Sequence, residues 1–263
     1  MGDLELALRM ADAADAVTMK RFGALDLTVD TKPDLTPVSD ADTAAEVALR
    51  DILRVERPDD TIVGEEFGET GEASRCWVLD PIDGTKNYIR GVPVWATLIA
   101  LATTTPVKSS SDIVLGVVSA PALARRWWAS RGYGAWMSFQ GTAGQINVSA
   151  VKSLKDASVS FSEWNDPEWD LHGRREPFDA LLRSAWRSRA YGDFWSHMMV
   201  AEGIVDVAVE PQLFPWDMAA LIPIIEEAGG VVTALDGTPP MIGGNALSSN
   251  GHLHGELLDL FGR

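Results

Sequence analysis

Two aspartates, a glycine and a threonine punctuate the run Trp77-Val78-Leu79-Asp80-Pro81-Ile82-Asp83-Gly84-Thr85-Lys86-Asn87. Asp80 and Asp83, on either side of a proline, are close enough to share a hard divalent cation. Gly84 lets a ligand approach the backbone, and Thr85 opens a short helix whose first N–H groups suit a phosphate. Metal ligands and an anion cradle are therefore expected within a few residues. Asp-Pro and Asp-Gly are also ordinary turn dipeptides, so the run alone reads equally well as a turn. Two further stretches weigh against that. Thr61-Ile62-Val63-Gly64-Glu65-Glu66-Phe67-Gly68 is a short apolar strand running into a glycine and two acids. Gln212-Leu213-Phe214-Pro215-Trp216-Asp217-Met218-Ala219-Ala220 places Asp217 where it would begin a helix. Each carboxylate stands at an element end, where distant side chains can converge.

The elements that must hold these acids follow from hydrophobic periodicity. Val78 and Leu79 read as the end of a buried strand, and Pro81, without an N–H, should make the chain leave the sheet at Asp80. Leu6, Met10, Ala13, Ala14 and Val17 predict a helix from Leu4 to Phe22. Alternation predicts a strand from Leu25 to Thr31, with Thr36 and Pro37 in a loop. Ser39 is a candidate N-cap with Asp42 three residues on, opening a helix through Arg54. Asp40 then sits in the first turn, facing whatever lies before the helix mouth; an acid there also serves the helix dipole. Strands are expected at Trp95–Ala102, Asp112–Ser119, Arg126–Ser130 and Tyr133–Phe139, giving an antiparallel sheet in the N-terminal half. The character changes near residue 150, dividing the chain into 1–150 and 151–263. The second part alternates strand and helix, an α/β pattern: strands at Ser158–Ser162, Ser188–Tyr191, Val205–Val209 and Val231–Ala234, with helices near Phe178–Ser184, Phe194–Glu202 and Asp217–Ala228. Pro223 should bend the last helix. The stretch 163–177, with Trp164 and Trp169, follows no regular pattern.

Composition narrows the function classes. The 263 residues are 46% hydrophobic and 23% charged, ordinary for a soluble globular protein. A net charge of −16 argues against a nucleic-acid or anionic-membrane partner. It suits a phosphate ester only if cations stand between the acids and the phosphate. The single cysteine, Cys76, allows no intrachain disulfide and fits a reducing cytoplasm. No basic signal-peptide region follows Met1, and the apolar run Val92–Ala102 is too short to span a bilayer. His172, His197, His252 and His254 have no cysteine or third histidine at zinc-ligand spacing, and most of the ten tryptophans read as core or subunit-contact residues.

The acidic stretches have a familiar look. Gly64-Glu65-Glu66, Asp80-Pro81-Ile82-Asp83-Gly84-Thr85 and Trp216-Asp217 with Ala219-Ala220 resemble the signatures of the inositol monophosphatase-like family of magnesium-dependent, lithium-sensitive phosphatases. The likeness covers nearly the whole chain. Lys32-Pro33-Asp34-Leu35-Thr36-Pro37-Val38-Ser39-Asp40, Gly91-Val92-Pro93-Val94-Trp95, Arg125-Arg126-Trp127-Trp128 and Ala190-Tyr191-Gly192-Asp193-Phe194 are similar to the actinobacterial histidinol-phosphate phosphatases of that family.

The resemblance implies an αβαβα layered sandwich, with most metal ligands in the N-terminal part and Asp217 and substrate contacts from the C-terminal part. It implies Glu65, Asp80, the Ile82 carbonyl, Asp83 and Asp217 as ligands of two or three Mg²⁺ ions, for which Mn²⁺ can substitute; an oxygen-only set favours such hard ions. Asp40 and Thr85 match the family pair that orients and deprotonates the attacking water, with Glu65 assisting. Gly84 and Thr85 would hold the phosphate, while Asp193 and Glu210 would hold the organic part. Two acids there complement an ammonium or imidazole, so L-histidinol phosphate is the expected substrate, with inositol 1-phosphate or a related sugar phosphate as the alternative. A non-catalytic protein-binding relative is a third reading, disfavoured because every expected carboxylate is present. A homodimer is also implied.

Overall fold

The computed structural model describes residues 2–33 and 35–262, so Asp34 of the similar stretch above lies outside the described residues. The chain begins with α1 (Asp3–Arg21), β1 (Val29–Thr31), β2 (Pro37–Ser39), α2 (Asp40–Glu56), β3 (Thr61–Gly64), β4 (Gly68–Thr70), β5 (Cys76–Asp83) and α3 (Thr85–Ile89). There follow β6 (Ala96–Ala102), β7 (Ile113–Ala120), β8 (Arg125–Ser130), β9 (Ala135–Phe139), β10 (Thr142–Ile146) and β11 (Ser158–Ser160). Next come α4 (Glu168–Leu171), α5 (Arg175–Ser184), β12 (Arg187–Arg189), α6 (Asp193–Ala201) and β13 (Val207–Glu210). The last elements are α7 (Pro215–Ala219), α8 (Leu221–Glu227), β14 (Val231–Thr233), α9 (Pro240–Gly243), β15 (Ala246–Ser249) and α10 (His254–Phe261).

Period-two alternation sorts the central strands between two cores. Trp77, Leu79, Ile99, Leu101, Leu115 and Val117 face α1 and α2, meeting Leu6, Met10, Leu49 and Leu53. Cys76, Val78, Leu98, Ala100 and Trp127 face the other way, against Phe194, Met198, Ile222 and Ile225 of α6 and α8. These strands belong to an eight-stranded sheet of order β10-β9-β8-β7-β6-β5-β3-β4, antiparallel except for β3 with β5. The other face of the α6 layer meets a mixed five-stranded sheet, β12-β11-β13-β15-β14. Val159, Val207 and Val209 of that sheet then pack on Phe178, Leu181, Leu257 and Leu258 of α5 and α10. The layers are therefore α-β-α-β-α. The strands of the two large sheets come from either side of residue 150, yet one apolar cluster joins Cys76 and Ile113 to Met198 and Ile225. Each large apolar side chain buried this way contributes about 1.5–3 kcal/mol.

Several local expectations are corrected. β5 does not end at Asp80; it continues to Asp83 across a register shift against β6. Pro81 lacks a donor but keeps its acceptor, which Thr97 Oγ1 reaches at 2.8 Å, so a bulge replaces the exit. The strand expected from Leu25 is only β1, and fully exposed Leu25 packs on nothing. Pro37 lies in β2 rather than in a loop, since its missing N–H costs nothing at the edge of a two-stranded ribbon. The helix expected over Asp217–Ala228 starts at Pro215 and breaks at Ala220 into α7 and α8, with Pro223 near the start of the second piece. Gly116 of β7 explains the close packing there, because a Cβ would come within 2.1 Å of the Ala220 carbonyl oxygen. The joint that carries Asp217 is thus seated against the sheet.

Candidate active site

An oxygen from each of Asp80, Asp83 and Asp217 lies within 4.8 Å of the other two. Asp80 sits at the β5 bulge, 1% exposed, and its Oδ1 has no hydrogen-bond partner. Asp83 ends β5 and accepts the Phe194 N–H of α6 at 2.7 Å. Asp217 turns back on its own helix start, accepting the Phe214 N–H at 2.7 Å. Burial, then the charges of Glu65, Asp83 and Asp217, holds the Asp80 carboxyl well above the usual carboxylate range. Burial, then the Asp193 and Asp217 charges, does the same to Asp83. Burial lifts Asp217 to about 7, against the opposing Phe214 N–H. Desolvated like charges this close are favourable only when a cation joins them. Oxygen donors alone, short spacing and an unsatisfied buried oxygen fit a hard divalent ion.

Glu65 stands beside this triad. Lys32 Nζ holds it at 2.7 Å and reaches Glu66 at 2.8 Å. The turn after β3 is anchored from α2, where buried Glu46 accepts the Glu66 N–H at 2.8 Å and the Phe67 N–H at 3.2 Å. Burial raises the Glu66 carboxyl to about 7 even with Lys32 beside it.

Thr85 and its partner require a correction. Asp40 does not meet Thr85; its carboxylate pairs with Arg21 at the end of α1, 2.7 Å away. The acid at Thr85 is Asp42, whose Oδ1 accepts from Thr85 Oγ1 at 3.2 Å. Its Oδ2 accepts from the Ser39 N–H at 2.8 Å and from Ser39 Oγ at 2.5 Å, completing the capping box. The reason is geometric: the third residue of a capping box folds back over the helix mouth, whereas the first residue points aside. Thr85 Oγ1 also lies 3.0 Å from the Ile82 carbonyl oxygen. Gly84 precedes it at φ 84°, and a Cβ there would stand 3.0 Å from the Val94 carbonyl and 3.3 Å from Asp193 Oδ2. Only glycine fits that corner.

The far end of the cavity is also acidic. Glu210 closes β13, 4% exposed, and accepts from Ser162 Oγ at 2.7 Å. Asp193 starts α6 and accepts from Asn87 Nδ2 at 2.9 Å. Burial raises Glu210 well above its ordinary value. Burial raises Asp193 to about 6, with the Lys86 charge opposing. Glu65, Asp83, Gly84, Thr85, Asp193, Glu210 and Asp217 all line one cavity of about 710 Å³, whose wall includes Lys32, Asn87, Ser162, Tyr191 and Phe214. Asp80 and Ile82 lie buried behind that lining.

The stretch 163–177 has more order than its sequence suggests. It contains α4 and the start of α5, and Trp169 is fully buried, stacked on Phe178 at 3.9 Å. Trp164 stays exposed, with Arg175 over its ring at 5.2 Å, while Glu163 and Asp166 reach the cavity. Sequence reasoning passed over Asp42, Lys32, Asn87 and Ser162 as site residues. Asp42 carried a signal in its place in the capping box, Lys32 and Asn87 stood in stretches already singled out, and Ser162 carried none.

Comparison with known proteins gives the family. The model of the inositol monophosphatase family matches residues 3–261. A histidinol-phosphatase of Streptomyces coelicolor is 56% identical, covering 98% of this chain and 96% of that protein. One from Mycobacterium tuberculosis is 54% identical, over 97% and 96% of the respective chains. Among solved structures, the extragenic suppressor protein suhB of Bartonella henselae superposes with a TM-score of 0.87 at 28% identity, covering 99% of this chain and 98% of that one. With its family model matched almost end to end, the chain belongs to the inositol monophosphatase family.

Proposed function

We propose that the protein hydrolyses L-histidinol phosphate to L-histidinol and phosphate, with Mg²⁺ ions held by Asp80, Asp83, Asp217, Glu65 and the Ile82 carbonyl. The observation that carries this reading is the pairing of two acidic ends in one cavity. Bound divalent ions would screen the carboxylates from the phosphate and acidify water for attack, lowering its pKa from about 15.7 toward about 7. The residues of the chain do the rest. Thr85 Oγ1 passes the proton of the attacking water toward Asp42 Oδ1, its neighbour at 3.2 Å. The backbone at Gly84 and Thr85 receives the phosphate oxygens. Asp193 and Glu210 face the ammonium and imidazole of the alcohol. This supports nitrogen-bearing esters over inositol 1-phosphate, whose hydroxyls carry no positive charge.

The test is phosphate release with Mg²⁺ and with a chelator, comparing kcat/KM for L-histidinol phosphate and inositol 1-phosphate. A preference for the inositol ester would reject the substrate, and full turnover in chelator would reject the metal role. A homodimer in a cytoplasmic setting belongs to the same reading, and sedimentation would measure the dimer.

A further inference from the structure

The two acids at the recognition end are tied together by one hydroxyl. Ser162 follows β11 and lines the cavity. Its Oγ donates to Glu210 Oε1 at 2.7 Å and accepts the Asp193 N–H at 2.9 Å. A hydroxyl has one proton to give, so these contacts define its orientation. Asp193 is held in a left-handed conformation, φ 50°, directly after Gly192 at φ 83°. An aspartate tolerates that region only at a cost of order 1 kcal/mol or more, so the surrounding contacts must fix it. Ser162 supplies the backbone contact, and Asn87 Nδ2 the side-chain contact at 2.9 Å. The next N–H, from Phe194, goes to Asp83 Oδ2 at 2.7 Å. Successive N–H groups of one strained corner therefore reach the recognition end and the metal end.

The geometry points to Ser162 as a positioning residue for substrate selectivity: its Oγ sets the separation of Glu210 and Asp193, and so determines which cationic alcohols fit between them. Ser162 need not touch the reacting atoms. This inference rests on the substrate reading above. Without the hydroxyl, Glu210 loses its donor and the Asp193 corner loses its backbone anchor, while Asp80, Asp83 and Asp217 lose no direct partner, since Ser162 bonds none of them.

Steady-state kinetics of Ser162→Ala and Ser162→Thr, with L-histidinol phosphate and 4-nitrophenyl phosphate, provide the test. The wild-type protein should prefer L-histidinol phosphate; if it does not, the substrate reading falls before any variant is measured. In Ser162→Ala, the kcat/KM ratio of the two esters should fall about tenfold or more, the size of one hydrogen bond to a charged group. The loss should lie in KM for L-histidinol phosphate rather than in kcat, and Ser162→Thr should restore most of it. An equal loss toward both esters, a loss confined to kcat, or no change would overturn the positioning role. Should Ser162→Ala fail to fold, Asn87→Ala removes the other Asp193 contact and should lower the same ratio; an unaltered ratio there overturns the inference too.

Discussion

The cavity has two acidic ends, and they are built differently. At one end Asp80, Asp83 and Asp217 crowd together, with burial and mutual charge raising their carboxyls and one Asp80 oxygen left without a partner. At the other end Glu210 and Asp193 are each met by a donor from the protein, Ser162 and Asn87. The first arrangement is unfavourable until an outside cation joins it. The second is nearly complete and asks of a ligand only charge and shape. Acid count alone would not separate the two; the crowding of three carboxylates and the unpartnered Asp80 oxygen do, since Asp83 and Asp217 each accept a backbone N–H as well.

Variants can break this contrast, and the metal end should show the larger effects. Asp83→Asn is expected to lower kcat/KM on the order of 10³-fold or more with the fold intact, checked by phosphate release and circular dichroism. Asp42→Asn and Thr85→Ala should each lower kcat about 10²-fold, the scale of a lost proton relay, in single-turnover assays. Glu210→Gln should act mainly on KM, raising it about tenfold for L-histidinol phosphate and far less for 4-nitrophenyl phosphate.

Acid titration sharpens the comparison further. The Asp217 carboxyl stands at about 7 in the fold, above its ordinary value, so the stability it contributes is fully present below about pH 4 and is lost as the pH rises through 7. Metal-free protein should therefore lose roughly 5 °C in Tm between pH 5 and pH 7.5, and Mg²⁺ should remove most of that slope in differential scanning calorimetry. The smallest effect is reserved for Asp40→Asn. Since Asp40 pairs with Arg21 and not with Thr85, kcat should change by less than about threefold. A loss matching that of Asp42→Asn would undo the assignment.

Much of the site was legible in sequence because its acids sit at element ends. Apolar runs with β-type alternation lead into Glu65 and Asp83, and Gly84 stands where the backbone needs φ 84°. The capping box at Ser39 and Asp42 was equally readable, since it is a local arrangement. Asp40 misled for a reason of direction: two acids in the same first turn differ only in which way the side chain leaves the helix. The break at Ala220 was foreshadowed by Pro223, which has no N–H to bond the Ala219 carbonyl; what stayed hidden was its close seating on Gly116 of β7, 104 residues away in the chain. Ser162 gave no signal at all, as its two partners come from β13 and from the start of α6.

Short-range pattern was enough for the acids at the ends of strands and helices, the glycine corner that leaves room for an anion, and the alternation that builds the sheets. These depend on neighbours within a few residues, where covalent geometry and local hydrogen bonds decide. It took the packed chain to bring Asp217 to Asp80 and Asp83, to turn Asp42 rather than Asp40 toward Thr85, and to set one serine between Glu210 and Asp193. Those contacts join segments from 31 to 137 residues apart, as from Ser162 to Asp193 and from Asp80 to Asp217, and only the packing of five layers closes such distances.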